Sequence, residues 1–146
     1  MRVGIAGYGL AGRYFHAPLL KGCGYEVVAI QTSNADRAGH ALEDFPNAEV
    51  VATIEELVAH KLDLVVVASA NLVHAKHAFA AINAGIPVVV DKPMGRTFAE
   101  TAEIISAGER AGVPVSTFFN RRWDSDALTI KKVLASGVLG TIHRMD

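Results

Sequence analysis

Short, almost wholly apolar runs alternate along this chain with longer amphipathic stretches. Residues 3–6, 26–31, 64–68, 87–90 and 115–119 are rich in β-branched side chains, and three of the five contain no polar residue. Strands that are apolar on both faces suit a parallel sheet covered by helices on each side. A weaker strand is expected at 49–51. Between these runs lie helix signals. Residues 10–20 have helical character, and Thr53-x-x-Glu56 reads as a capping box that opens a short helix through residue 60. Residues 71–84 place Val73, Ala78, Ala81 and Ile82 on one face, with Gly85 as the residue past the helix end. A second box, Thr97-x-x-Glu100, opens a helix that runs to Ala111 and stops at Gly112-Val113-Pro114. Asp124 stands where it would cap a last helix over 125–136, closed by Gly137, and residues 141–145 read as the start of a further strand. This alternation predicts an α/β fold, a doubly wound parallel sheet with right-handed crossovers.

Composition narrows the function classes. The chain has 146 residues, 51% hydrophobic and 20% charged, which excludes a disordered polymer and suits one domain with a real core. The net charge is −1 and the only arginine pair is Arg121-Arg122, so no nucleic-acid partner is expected. A single cysteine, Cys23, excludes an internal disulfide and a cysteine-rich zinc site. His74 and His77 lie three apart on a predicted helix, but no third ligand is evident, so no metal is expected. There is no secretory leader pattern and no run of membrane-spanning length, which predicts a cytoplasmic protein without a membrane partner.

The first strand leads directly into Gly7-Tyr8-Gly9-Leu10-Ala11-Gly12. In a dinucleotide site the first glycine permits the tight turn, the second lets a diphosphate approach the backbone, and the third lets helix and strand pack closely. The helix start then offers unpaired N–H groups and a partial positive charge. The alternative is a strand–helix turn that uses glycine for conformation alone. At the end of the second strand an NAD site usually carries an acid for the ribose 2′-hydroxyl. Here the chain reads Ile30-Gln31-Thr32-Ser33-Asn34, with no acid before Asp36. Thr32 and Ser33 can hydrogen-bond a 2′-phosphate and Arg37 can supply charge, so NADP is preferred over NAD. The plain alternative for Arg37 is a solvated helix residue.

Asp91-Lys92-Pro93 falls at the carboxyl end of the fifth strand, where doubly wound sheets bind ligands. Lys92 can there hold a ribose, hydrogen-bond a substrate hydroxyl or assist proton transfer, and Pro93 fixes the backbone that aims it. An ordinary surface turn is the alternative. His16 either faces the cleft or packs under the sheet.

The chain resembles the N-terminal domain of the glucose–fructose oxidoreductase / inositol dehydrogenase / MocA family. The likeness rests on the glycine turn with Phe15-His16-Ala17-Pro18-Leu19-Leu20, on Ala68-Ser69-Ala70-Asn71-Leu72-Val73-His74, on Asp91-Lys92-Pro93, and on Asn120-Arg121-Arg122-Trp123-Asp124. Asp91 departs from the family's usual Glu, and Ala70 from its frequent Pro. The resemblance implies a Rossmann domain over 1–120, and a hinge helix with the first strand of a second, substrate-binding domain over 121–146. It implies that Asn71 and His74 line the cofactor cleft, and with the glycine turn and the second-strand end read above the expected cofactor contacts are Gly7 to Gly12, Thr32, Ser33, Arg37, Ser69, Ala70, Asn71, His74, Asp91, Lys92 and Pro93. Lys92 would also lie beside the nicotinamide and substrate, as the catalytic residue of this half. The family's second domain carries most of the substrate pocket and an Asp/His pair that completes proton transfer. The expected function is hydride transfer between NADP or NAD and a hydroxyl or carbonyl carbon of a sugar, polyol or related compound, by the whole protein rather than by residues 1–146 alone. A regulator that senses the dinucleotide's redox ratio without turnover is the alternative. Apolar surface left bare beside the hinge predicts a homo-oligomer.

Overall fold

The computed structural model describes residues 1–144. Its sheet has six parallel strands, β1 (Arg2–Ala6), β2 (Glu26–Gln31), β3 (Glu49–Val51), β4 (Leu64–Val67), β5 (Val88–Asp91) and β6 (Val115–Phe118). They lie in the order β3-β2-β1-β4-β5-β6, so the winding direction reverses between β1 and β4. A period of two sorts the side chains onto two faces. Val65 and Val67 join a core with Ile54, Leu57, Ala78, Ala81, Ile82 and Ile104. Val66 turns to the opposite core, with Val3, Ile5, Ala17, Leu20 and Ile30. The first core is covered by α3 (Ile54–Val58), α4 (His74–Asn83) and α5 (Phe98–Ala111), the second by α1 (Ala17–Gly22) and α2 (Ala35–Asp44). The expected doubly wound α/β fold is present.

The helices depart from expectation in instructive ways. The predicted 10–20 helix begins as a π-helical stretch, Ala11–His16, and becomes α-helical only at α1, whose first turn holds Pro18. Proline has no N–H for an i−4 bond, so regular α-helical bonding cannot run through that point. Residues 71–84 likewise divide into a 3-10 turn, Asn71–Val73, followed by α4. α2 was not read from the apolar pattern, and Ala41 is its one buried residue. Its start is marked instead by Asn34, whose side-chain oxygen accepts from Arg37 N at 2.9 Å. The Thr53 box forms as expected. At Thr97 only half of the box forms, because the Glu100 carboxylate accepts from Arg96 N at 2.6 Å rather than from Thr97.

A 3-10 turn, Asn120–Trp123, leads into α6 (Ser125–Ala135), every residue of which lies at least partly open to solvent. Asp124 precedes the helix without capping it, its carboxylate pairing with Arg121 at 3.1 Å. The strand expected at 141–145 is corrected: residues 141–144 form none, and Met145 lies outside the described residues. No helix among the described residues is long and apolar enough to cross a membrane.

Candidate functional site

The reversal between β1 and β4 opens a crevice at the carboxyl ends of the strands, where the two halves of the sheet send their connections to opposite faces. A cleft of about 580 Å³ occupies it, walled by Gly7, Gly9, Leu10 and Ala11 from the first turn, Ser69 and Ala70 after β4, and Asp91 and Lys92 at the end of β5. Arg37 closes one side from α2. Phe15, Phe118, Asn120 and Arg121 complete the wall.

The three glycines of the turn differ in what surrounds them. Gly7 has φ +94°, and a Cβ there would come within 2.5 Å of the Ser69 backbone. A methyl on Gly12 would overlap the Gly7 carbonyl oxygen, so the helix start lies directly against the turn. At Gly9 the nearest atom to such a Cβ is the Arg37 guanidinium carbon, at 3.5 Å. Gly9 is therefore not needed for packing within the protein, and its bare face adjoins open cleft and a cation. This is the cradle a diphosphate and an adjacent phosphomonoester require, and the residues present fit such a cofactor.

Several side chains expected at the cleft lie elsewhere. The Tyr8 side chain turns away from the cleft: its ring is in the core, edge-on to Phe45, and its hydroxyl donates to Asp44 Oδ2 at 2.9 Å. Arg13 Nε donates to the same oxygen at 2.8 Å. Burial, followed by the Asp44 hydrogen bond, pushes the Tyr8 phenol well above its ordinary pKa. Burial alone would raise the Asp44 carboxyl, but the Tyr8 and Arg13 bonds outweigh it and hold it below the usual range. His74 is buried, with Nδ1 2.9 Å from Pro93 O and Nε2 3.0 Å from Ser69 O, so its ring lies between the cleft loops rather than on the cleft wall. Thr32 is buried and its hydroxyl accepts from Asn34 N at 3.3 Å. Ser33, Asn71 and Pro93 are exposed but outside the wall, and Gly12 lies beneath the turn.

Lys92 reaches the cleft from a turn in which its own N–H donates to Asp91 Oδ1 at 2.8 Å and its bond to Pro93 is cis. His16 packs under this end of the sheet, its ring centroid 4.3 Å from that of Phe118. Its Nε2 is buried without a hydrogen-bond partner. Burial lowers the His16 pKa, and the nearby Asp91 carboxylate opposes that shift. Phe15, Phe118, Asn120 and Arg121 were missed as cleft residues at the level of sequence. Their signal was position, since the last three lie at or just beyond the carboxyl end of β6. No group of three or more potential metal ligands occurs among the described residues.

Fold and cleft together define a dinucleotide-binding domain of the Rossmann type. The chain belongs to the GFO_IDH_MocA oxidoreductase family, NAD-binding Rossmann fold, whose family model matches residues 1–119. It is 42% identical over 145 residues to the scyllo-inositol 2-dehydrogenase (NADP(+)) IolW of Bacillus subtilis (strain 168), covering 98% of this chain and 40% of that protein. The oxidoreductase YdgJ of Escherichia coli (strain K12) is 41% identical over 144 residues, covering 97% of this chain and 41% of its own. Among solved structures, an oxidoreductase from Klebsiella pneumoniae superposes with a TM-score of 0.90 at 39% identity, over 97% of this chain and 41% of that one. The chain thus spans about 40% of the length of the relatives it matches.

Proposed function

We propose that this chain is the cofactor half of an NADP-preferring dehydrogenase or reductase acting on a polyol, sugar or related hydroxyl or carbonyl compound. One observation carries the reading: Arg37 flanks the bare face of Gly9 at one side of a cleft whose wall also includes Lys92. The glycine turn holds the diphosphate, Arg37 pairs with a 2′-phosphate, and Ser33 stands in the same connection to hydrogen-bond it. When bound, the nicotinamide supplies the hydride chemistry. The chain's own part is to orient and to manage charge. Ser69 and Ala70 close the wall that β4 contributes, and Lys92 presents an ammonium group to the substrate oxygen, where it eases the proton's arrival or departure. Its similarity to an inositol dehydrogenase named for NADP supports both the cofactor and the polyol class.

Residues 121–146 are read as the start of a substrate-binding unit, and the protein as a homo-oligomer of the cytoplasm. Leu128, Ile130 and Leu134 of α6 stand open to solvent beside Trp123, which is 73% exposed, and this apolar surface calls for a cover. Paired calorimetric titrations with NADP and NAD, followed by reduction assays with a panel of inositols and sugars on the whole protein, test the reading. Tighter binding of NADP and turnover of at least one polyol are expected. Tighter binding of NAD would remove the role of Arg37, and binding without turnover of any substrate would leave a redox-sensing domain in its place.

A further inference from the structure

Helix α2 carries the proposed phosphate ligand, yet little apolar packing holds it. Ala41 is its one buried residue, and its remaining side chains are exposed or half-buried. Its far end is fixed by polar contacts instead. Asp44, the last residue of the helix, accepts at one carboxylate oxygen from both the Tyr8 hydroxyl and Arg13 Nε, at 2.9 and 2.8 Å. Glu43 pairs with Arg13 Nη2 at 3.6 Å. Just past the helix, Phe45 meets the Tyr8 ring edge-on and lies under the Lys21 ammonium group at 4.5 Å. Tyr8 is itself the second residue of the glycine turn, between Gly7 and Gly9. One side chain of the diphosphate cradle is therefore tied to the helix that bears Arg37.

We infer that Tyr8, Asp44 and Arg13 form a positioning clamp that sets the place of Arg37 over Gly9 and through it the preference for NADP over NAD. The inference rests on the reading of Arg37 as the 2′-phosphate ligand. Leverage explains the effect: seven residues of helix put Arg37 about 10 Å from Asp44, so a rotation of about 10° at the clamp moves it by about 2 Å. A bidentate guanidinium–phosphate contact does not survive such a displacement intact. The diphosphate would not sense it, because the glycine turn stays anchored through Gly7 N, which donates to Gln31 O at 2.9 Å, and through the close contacts of Gly7 and Gly12.

Dissociation constants for NADP and NAD, measured by calorimetry on the protein and on its Tyr8→Phe, Asp44→Asn, Arg37→Ala and Tyr8→Phe/Arg37→Ala variants, test this. Thermal melts identify any variant that fails to fold, and the milder Asp44→Asn serves if Tyr8→Phe does. Tyr8→Phe and Asp44→Asn should each weaken NADP about 3- to 10-fold and leave NAD within about 2-fold, and Tyr8→Phe should add nothing once Arg37 is Ala. A role in stability alone would weaken both dinucleotides together, and that result overturns the clamp. So does a loss of NADP affinity that persists in full in the Arg37→Ala background. If Arg37→Ala leaves the NADP-to-NAD ratio unchanged, the reading of Arg37 itself fails. If Arg37→Ala abolishes the preference while Tyr8→Phe and Asp44→Asn preserve it, only the clamp fails.

Discussion

The imidazole of His74 stands 2.9 Å from the carbonyl oxygen of Pro93, and its other nitrogen stands 3.0 Å from Ser69 O. One buried ring at the start of α4 thus links the loop after β4 to the turn that carries Lys92. A carbonyl oxygen can only accept, so whichever ring nitrogen carries the proton donates to its carbonyl, and removal of the ring leaves a void and a buried carbonyl without that donor. His74→Ala should lower the unfolding free energy by about 2–4 kcal/mol, read by urea denaturation. A loss below about 0.5 kcal/mol would mean that the ring is a passive filler.

Gly9 and Gly12 predict opposite outcomes for the same substitution. Gly12→Ala drives a methyl into the Gly7 carbonyl, so both thermal stability and dinucleotide binding should fall. Gly9→Ala meets only the Arg37 guanidinium at ordinary contact distance. Its melting temperature should stay near that of the parent, while dinucleotide affinity drops about 10-fold or more because the methyl fills the space of the diphosphate. Melting curves and calorimetry on the two variants separate a glycine kept for packing from one kept for ligand approach.

Much of this was legible in the sequence, for reasons that also explain the rest. Val65, Val66 and Val67 are buried whichever face they take, so β4 is visible as an unbroken apolar run. Gly7 and Gly12 mark the turn because each occupies a place, in conformation or in space, where a side chain is costly, and Gly9 because its bare face adjoins the open cleft. The packing of α2 was not legible, because its polar and apolar periodicity does not show that Ala41 alone of its residues is buried. Tyr8 and His74 were placed at the cleft by their neighbours in the chain, yet orientation depends on partners distant in sequence, Asp44 in one case and Pro93 in the other. Phe118 reads as the end of a strand, and only the sheet order brings it beside the first turn to wall the cleft with Phe15.

Lys92 lines the cleft, while the buried part of its turn is secured by other groups. Lys92→Ala in the whole protein should therefore cut kcat by about 100-fold or more, with dinucleotide dissociation constants within about 3-fold of the parent. Single-turnover kinetics alongside calorimetry make the comparison. Equal losses in both quantities would recast Lys92 as a cofactor ligand, and unchanged turnover would remove it from the chemistry.

His77 gives the fold a defined response to acid. Burial, reinforced by the neighbouring Lys76 ammonium group and only partly countered by Glu55, lowers its pKa to about 4. Its Nδ1 is buried without a partner. In the unfolded chain the ring titrates near 6.5, so between pH 6.5 and 4 the unfolded state binds the extra proton and the folded state does not. Folding stability is therefore fully present above pH 6.5 and declines as the pH falls toward 4, by up to about 3 kcal/mol from this residue. Lowering of the His16 pKa by burial acts with the same sign, so a single variant flattens the profile only in part. Chemical denaturation of the parent and of His77→Leu at half-unit steps from pH 4 to 7 isolates the His77 share as the difference between two slopes. Parallel profiles would show that His77 charges as readily in the folded protein as outside it.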